Sequence, residues 1–325
     1  MGPETDTPLA LAADIGGTNA RFALLDADGT AHATRILKCA DHPTMEAAVE
    51  AYLDAAAPHR RPRRAAIAVA GPITGDRFRM TNHQWSFSRA EAERRLGLER
   101  LVLVNDFTAV ALGMPHLKPG DRRQVGSGEP VPGQVIGVIG PGSGLGVSGL
   151  VPTGNGWVAL ATEGGHVTVP PVTEREAAVL ANLHARFQHV SAERVISGMG
   201  LANLYEALCR VDGKDPAQLE PAEITAAGIS GKDPHCAEAV DMMCALLGTV
   251  AGNLALTLGA RGGIYIAGGI VPRLEEYFDR SAFRERFMAK GRMRAYLEPV
   301  PTYVVTHPLP AFLGLAAVLA QTRTG

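Results

Sequence analysis

LALAADIGGTNARFALLD, residues 9 to 26, is the stretch whose reading decides the fold. Two apolar runs, 9–13 and 22–25, flank Gly16, Gly17, Thr18 and Asn19, so the stretch reads as a β-hairpin whose turn needs backbone angles that Gly and Asn take cheaply. A plain hairpin needs two such residues. Here four stand in a row, with Asp14 ending the incoming strand and Arg21 two residues past Asn19. Bare amides, a hydroxyl and a carboxylate therefore share one loop. Converging N–H donors free of side chains suit phosphate oxygens, and a neighbouring carboxylate suits magnesium, directly or through water. The absence of a following Gly-Lys-Ser/Thr excludes a Walker A loop, and a strand-like next segment excludes a dinucleotide fingerprint. A tight turn with a capping Asp is the plain alternative.

Outward from the hairpin, residues 44–57 carry helical spacing ended by Pro58, and HRRPRR, residues 59–64, reads as a solvated connector rather than an anion patch. A short buried strand over 65–70 delivers the loop Gly71-Pro72-Ile73-Thr74-Gly75. In MTNHQWSFS, residues 80–88, Asn82, His83, Gln84 and Trp85 suit a sugar, which offers hydroxyls at its edges and apolar faces; Trp85 suits a core anchor equally well. LVLVNDFTAVAL, residues 101–112, reads as a buried strand running into a helix. That puts Asn105 and Asp106 at a strand's carboxyl end, where α/β proteins hold ligands. Asp106 fits either a helix cap or a general base that takes the proton of an attacking hydroxyl.

A second apolar strand, 135–139, meets GPGSGLGVSGLV, residues 140–151, whose alternate glycines and Ser143 form another phosphate-type turn. Two such hairpins, each opening one half of the chain, imply a duplicated architecture with a nucleotide between the halves. Glu163-Gly164-Gly165-His166 lacks the further ligands a zinc site needs. HVSAERVISGMG, residues 189–200, places Glu193 near the start of a helix running to Cys209. Residues 234–258 form a long apolar helix, 264–267 a buried strand leaving through Gly268-Gly269, and 309–322 a short last helix with a small apolar face.

At 325 residues the chain has room for one large or two medium domains. A formal charge of −2 gives no electrostatic footprint for nucleic acid, so a small molecule is the expected partner. Cys39, Cys209, Cys236 and Cys244 have no metal spacing and read as reduced thiols. The residues ahead of Leu9 lack a secretory pattern, and no run reaches the ~20 apolar residues of a membrane span. A cytoplasmic protein that uses no membrane is the expectation.

DIGGTNARFAL resembles the first phosphate motif of the sugar kinase, actin and heat-shock ATPase superfamily, and specifically that of the bacterial glucokinase family. GPGSGLGVSGLV is similar to the second phosphate motif, with Ser143 where Thr is usual; the Gly268-Gly269 exit resembles the adenosine motif; TN-x-x-W, EGGH and SAERVISG resemble the sugar-cleft segments. The resemblance spans the chain from Leu9 to about Gln321. It implies a two-domain actin-like ATPase (ribonuclease H-like) α/β fold, with mixed sheets flanked by helices and a cleft between a small domain, 1–116 plus 307–325, and a large one, 117–306. It further implies ATP at Ala13, Asp14, Ile15, Gly16, Gly17, Thr18, Gly142, Ser143, Gly144, Gly268 and Gly269, with Mg2+ carried by ATP and reached by Asp14 through water. Glucose would meet Asn105, Asp106, Glu163, His166 and Glu193, with Asp106 the general base, in a homodimer. Two alternatives stay open: a kinase for another hexose or amino sugar, whose branch usually carries a cysteine-rich zinc motif absent here, and a sugar-sensing regulator without catalysis.

Overall fold

The computed structural model describes residues 10–71, 73, 75–80, 83–154 and 156–321; Pro72, Thr74 and Asn82, singled out above, lie outside the described residues. The chain divides into two compact units, Met1–Leu117 with His307–Gly325, and Lys118–Thr306.

In the first unit the strands β1 (Ala10–Ile15), β2 (Asn19–Leu25), β3 (Ala31–Lys38), β4 (Arg64–Val69) and β7 (Arg100–Asn105) form one sheet in the order β3-β2-β1-β4-β7. β5 (Arg77–Arg79) and β6 (Ser86–Ser88) form a separate antiparallel pair. β1 and β2 are antiparallel, whereas β1, β4 and β7 run parallel. The two-residue period of a strand sorts β1 between two cores: Leu11, Ala13 and Ile15 join Phe22, Tyr52 and Trp85, while Ala10 and Ala12 join Ala66, Ala68, Phe312 and Leu315. Both faces are buried, so the run is continuously apolar rather than alternating. The helix Met45–Ala56, capped by Thr44 Oγ1 on Ala47 N–H at 3.1 Å, covers the first face; Asp106–Gly113 and Pro310–Gln321 cover the second.

Trp85 resolves as a core anchor. It is 2% exposed, donates its indole N–H to the His42 carbonyl at 3.1 Å and meets the His83 ring edge-on. In the basic segment, Arg61 pairs with Asp54 and Arg63 with Glu99, as suits a solvated connector.

The second unit repeats the plan. β8 (Arg122–Val125), β9 (Ile136–Pro141), β10 (Leu145–Thr153), β11 (Gly156–Leu160), β12 (Ile264–Ile266) and β13 (Thr302–Val305) are ordered β11-β10-β9-β12-β13-β8. β9-β10-β11 is an antiparallel meander and β9, β12 and β13 are parallel, as in β1-β2-β3 and β1-β4-β7; β8 is added antiparallel at the edge. The duplication expected from two Gly-rich hairpins is thus present in the strand pairing.

The helix Pro234–Leu258 packs on this sheet. Asp233 caps it through Cys236 N–H at 2.9 Å, and Gly259 ends it at φ +62°. Its 25 residues are long and apolar enough to cross a membrane by length and composition, contrary to the expectation that no run reaches that length. Most of that apolar window is buried inside the unit. A Cβ on Gly248 would stand 2.2 Å from the Phe283 carbonyl, and one on Gly252 2.4 Å from that of Phe287, so glycines let the neighbouring helix Phe283–Met288 lie against it. All four cysteines are free and buried, and burial pushes the thiols of Cys236 and Cys244 up to about 12.

Candidate active site

The predicted site residues divide between the units, and each half is built by its own sheet. In the first, the β1–β2 turn closes with the Gly16 N–H donating to the Asn19 carbonyl at 3.0 Å. No residue from 16 to 19 has a positive φ, so the expectation that this turn needs left-handed angles is overturned. A Cβ on Gly16 would rest at an ordinary 3.5 Å from the Asn19 carbonyl, so the turn itself does not demand glycine there. The turn is tied down by Cys39, whose N–H donates to the Thr18 carbonyl at 2.9 Å. Ala13 and Ile15 are fully buried, which leaves only their backbone to any ligand.

Asp14 is half-buried and its Oδ2 lies 3.4 Å from Arg21 Nη1, a loose contact. Burial raises its pKa, and the Arg21 charge only partly offsets that.

β7 delivers Asn105 and Asp106. The cap of the following helix is Asn105 and not Asp106: Asn105 Oδ1 accepts from Phe107 N–H and Thr108 N–H, both at 3.0 Å, and its Nδ2 lies 3.4 Å from the Gly71 carbonyl. Asp106 is the first helical residue, with Oδ1 2.7 Å from Phe107 N, so its charge sits at the positive end of the helix. Either residue type caps helices, and spacing alone cannot choose between neighbours.

In the second unit β9 runs through Pro141 and β10 begins at Leu145, so the glycine-rich stretch condenses to a three-residue turn, Gly142-Ser143-Gly144, closed by Gly142 N–H on the Gly144 carbonyl at 2.8 Å. The Gly268-Gly269 turn leans on the end of β9. Gly268 has φ +94°, and a Cβ there would stand 2.4 Å from the Pro141 carbonyl, so glycine is required on both counts. The Gly142–Gly144 and Gly268–Gly269 turns therefore lie at the same end of the sheet, beside the carboxyl ends of the neighbouring strands β9 and β12.

EGGH lies along β10 because Cβ atoms do not fit: at Gly165 one would be 2.0 Å from the Leu145 carbonyl, and at Gly164 2.8 Å from Val147. Glu163 and His166 are both exposed, with Oε2 and Nε2 3.9 Å apart. Glu193 does not start the long helix. It sits on the single turn Ala192–Arg194, and the helix Gly198–Val211 begins afresh with Ser197 as cap. Glu193 Oε2 accepts the Leu145 N–H at 3.0 Å.

His166 and Glu193 line a pocket of about 430 Å³ together with Arg186, His189, Ser191 and Arg194. His189 was not singled out from the sequence; its Nε2 lies 3.0 Å from the His166 carbonyl, a contact between residues 23 apart that no local pattern announces. Arg194 stacks on Phe187, its guanidinium carbon 4.2 Å from the ring centroid. Among the described residues no cluster of three or more His, Cys, Asp or Glu could hold a metal on its own.

Comparison with known proteins places relatives around this geometry. A family model described as Glucokinase matches residues 11–322. A glucokinase of Paramagnetospirillum magneticum is 52% identical over 97% of this chain and 98% of its own length. The crystal structure of a glucokinase from an Antarctic psychrotroph has a TM-score of 0.88 and 38% identity, covering 97% of this chain and 99% of that one. A ROK family glucokinase from Streptomyces griseus, solved in complex with glucose and AMPPNP, shares the fold at 22% identity and a TM-score of 0.61, covering 98% of this chain and 100% of that one.

Proposed function

Because the chain belongs to the glucokinase family, we propose that it transfers the γ-phosphoryl of ATP to the 6-hydroxyl of glucose, giving glucose 6-phosphate and ADP. The fold is the two-domain, actin-like α/β fold of the sugar kinases. The observation that carries the reading is the match to a curated glucokinase at 52% identity over nearly the full length of both chains.

Asp106 takes the proton of the 6-hydroxyl as that oxygen bonds to the γ-phosphorus and the bond to the bridging β–γ oxygen breaks, releasing ADP. Asn105, by capping the helix, holds the backbone that aims Asp106. Gly16 and Gly142 spend their N–H groups closing their own turns, so the donors for phosphate are Gly17 and Thr18 in one unit and Ser143 and Gly144 in the other. Gly268 and Gly269 carry the adenosine; a Cβ at Gly269 would meet nothing within 4 Å, which leaves an open face there. Glu163, His166 and Glu193 hold the remaining sugar hydroxyls. Fixed polar groups of this kind discriminate between sugars because a mismatched hydroxyl leaves one of them unpaired.

Asp14 fits a magnesium ion arriving with ATP: it is a partly buried carboxylate with one loose cationic contact, and the metal supplies charge neutralisation on the phosphates. The same reading takes the working form as a cytoplasmic homodimer, supported by the family resemblance and checked by sedimentation.

The test is glucose-dependent ADP release from MgATP across a panel of hexoses, beside Asp106→Ala. The expected result is turnover with glucose that falls at least ~10²-fold in kcat in the variant while glucose binding survives. Turnover on another hexose in preference to glucose would move the substrate, and glucose binding without any turnover would leave a sugar sensor.

A further inference from the structure

The carboxylate of Glu193 does two things that sequence motifs keep apart. It belongs to the sugar-contact segment, yet its Oε2 accepts the N–H of Leu145, the residue that leaves the Gly142–Gly144 turn, at 3.0 Å. Room for it exists only because residue 144 is glycine: a Cβ there would lie 2.5 Å from the same oxygen. The other end of the turn is held by the segment just past Glu193, where Gly198 N–H donates to the Gly142 carbonyl at 2.9 Å. Between these two anchors Ser197 Oγ donates to the Glu193 carbonyl at 2.7 Å and caps the next helix through Gly200 N–H at 2.9 Å. A Cβ on Gly200 would stand 2.9 Å from the Glu193 carbonyl, so this helix start is pressed against the Glu193 turn. Residues 193–200 and 142–145 are therefore tied together at both ends of the turn within the second unit. Among the described residues, Oε1 of Glu193 has no hydrogen-bond partner, and the residue lines the pocket with His166.

We infer that Glu193 is the positioning residue of the second phosphate turn as well as a sugar contact, so that sugar and nucleotide binding are coupled through one carboxylate. The inference rests on the glucokinase reading and adds to it a physical link between two substrates. A charge-assisted bond to a backbone N–H fixes the turn more firmly than a neutral one would. A sugar hydroxyl donating to Oε1 pulls on the same carboxylate that holds Leu145, and linkage requires the effect to run equally in both directions.

The test measures each substrate without the other, by calorimetry, in the wild type, Glu193→Ala, Glu193→Gln and Gly144→Ala. MgADP binding in the absence of glucose should weaken at least ~5-fold in Glu193→Ala, the lower range of measured couplings, because a residue that touched only sugar would leave it unchanged. Glu193→Gln should stay within about twofold of wild type, since the amide oxygen still accepts the Leu145 N–H. Gly144→Ala, on the nucleotide side, should weaken glucose binding at least ~5-fold in the absence of nucleotide, because the new methyl displaces the Glu193 carboxylate. Unchanged MgADP binding in Glu193→Ala, equal weakening in Ala and Gln, or unchanged glucose binding in Gly144→Ala would each overturn the link. A wild type that binds neither MgADP nor glucose would instead remove the glucokinase reading on which it stands.

Discussion

Asn105 and Asp106 show how much one residue of register carries. Asn105 caps the helix through Phe107 and Thr108 N–H, and the neighbouring Asp106 stands at its head as the first helical residue, with Oδ1 also accepting the Phe107 N–H. Asn105→Ala should cost about 1 kcal/mol in a thermal melt, the usual loss for a missing cap, and lower kcat by letting the first turn fray around Asp106. Asn105→Ser should recover the stability, because serine caps as well. A melt of Asn105→Ala that matches wild type would show that the cap does not hold this helix. From the sequence, both residues are good caps at the end of an apolar run, so the strand-to-helix junction was legible while the choice of cap was not. The reason is geometric: the cap is whichever residue still has extended backbone, and Asn105 at ψ 142° does. The glycines of residues 16 and 17 carry the opposite lesson. They were read as needing conformational freedom, whereas the turn uses ordinary angles and a Cβ on Gly16 would make only ordinary contact.

At the scale of elements, the helix that begins with Asp106 is held by the chain's last helix. Gly314 is the contact point: a Cβ there would lie 1.8 Å from the Ala109 carbonyl, and one on Gly113 2.4 Å from the Pro310 carbonyl. Nothing at the far end of a flexible side chain can yield, because both obstacles are backbone. Gly314→Ala should push the helices Asp106–Gly113 and Pro310–Gln321 apart, at a cost in the ~1–3 kcal/mol range of overpacked cores, with a fall in kcat as Asp106 moves. Thermal melting beside steady-state kinetics checks it; an unchanged melt would mean the helices are not in close contact at this point. The small apolar face of the last helix was readable from AFLGLAAVLA, residues 311–320, but not the element it meets, since Ala109 and Gly314 are 205 positions apart. The same limit applies to the sheets. The buried strands at 65–70, 101–104 and 135–139 were visible as apolar runs, whereas the short polar strands β5, β6 and β8 were not, and the order β3-β2-β1-β4-β7 depends on pairings between distant segments. Glu193 was misjudged for a related reason, because the break between Ala192–Arg194 and Gly198–Val211 is set by Ser197 capping a new helix within a stretch of continuous helical spacing.

Across the whole molecule the two units share a sheet plan but not a means of holding their helices. The first unit joins apolar faces with side-chain-to-backbone bonds, such as Arg64 to the Leu319 carbonyl and Tyr52 OH to the Ala33 carbonyl. The second adds a buried ion pair: Glu176, whose side chain is 5% exposed, bonds through both oxygens to Arg286, at 2.5 and 3.1 Å. Arg286 also donates to Thr249 Oγ1 at 2.8 Å, and Lys290 Nζ to the Thr249 carbonyl at 3.0 Å. Three helices, Glu174–Arg186, Pro234–Leu258 and Phe283–Met288, therefore meet at one guanidinium, that of Arg286. Nothing in the sequence announced it, because Glu176 reads as an ordinary first-turn glutamate and its partner lies 110 positions away. Burial alone would raise the pKa of Glu176, but the hydrogen bonds from Arg286 and Val172 N–H outweigh it and hold the carboxyl below its usual range. A lowered folded pKa makes the stabilisation fully present above the unfolded value, ~4.3 for Glu, and removes it as pH falls through the folded value. Glu176→Gln leaves Arg286 without its counter-charge and should cost ~3–5 kcal/mol at neutral pH, as expected for breaking a buried pair. The difference in melting temperature between wild type and Glu176→Gln should then narrow as pH drops below the carboxylate range, since protonation strips the wild type of the same charge. A gap that stays constant from neutral to acid pH would show that Glu176 holds the three helices by packing and neutral hydrogen bonds, without using its charge.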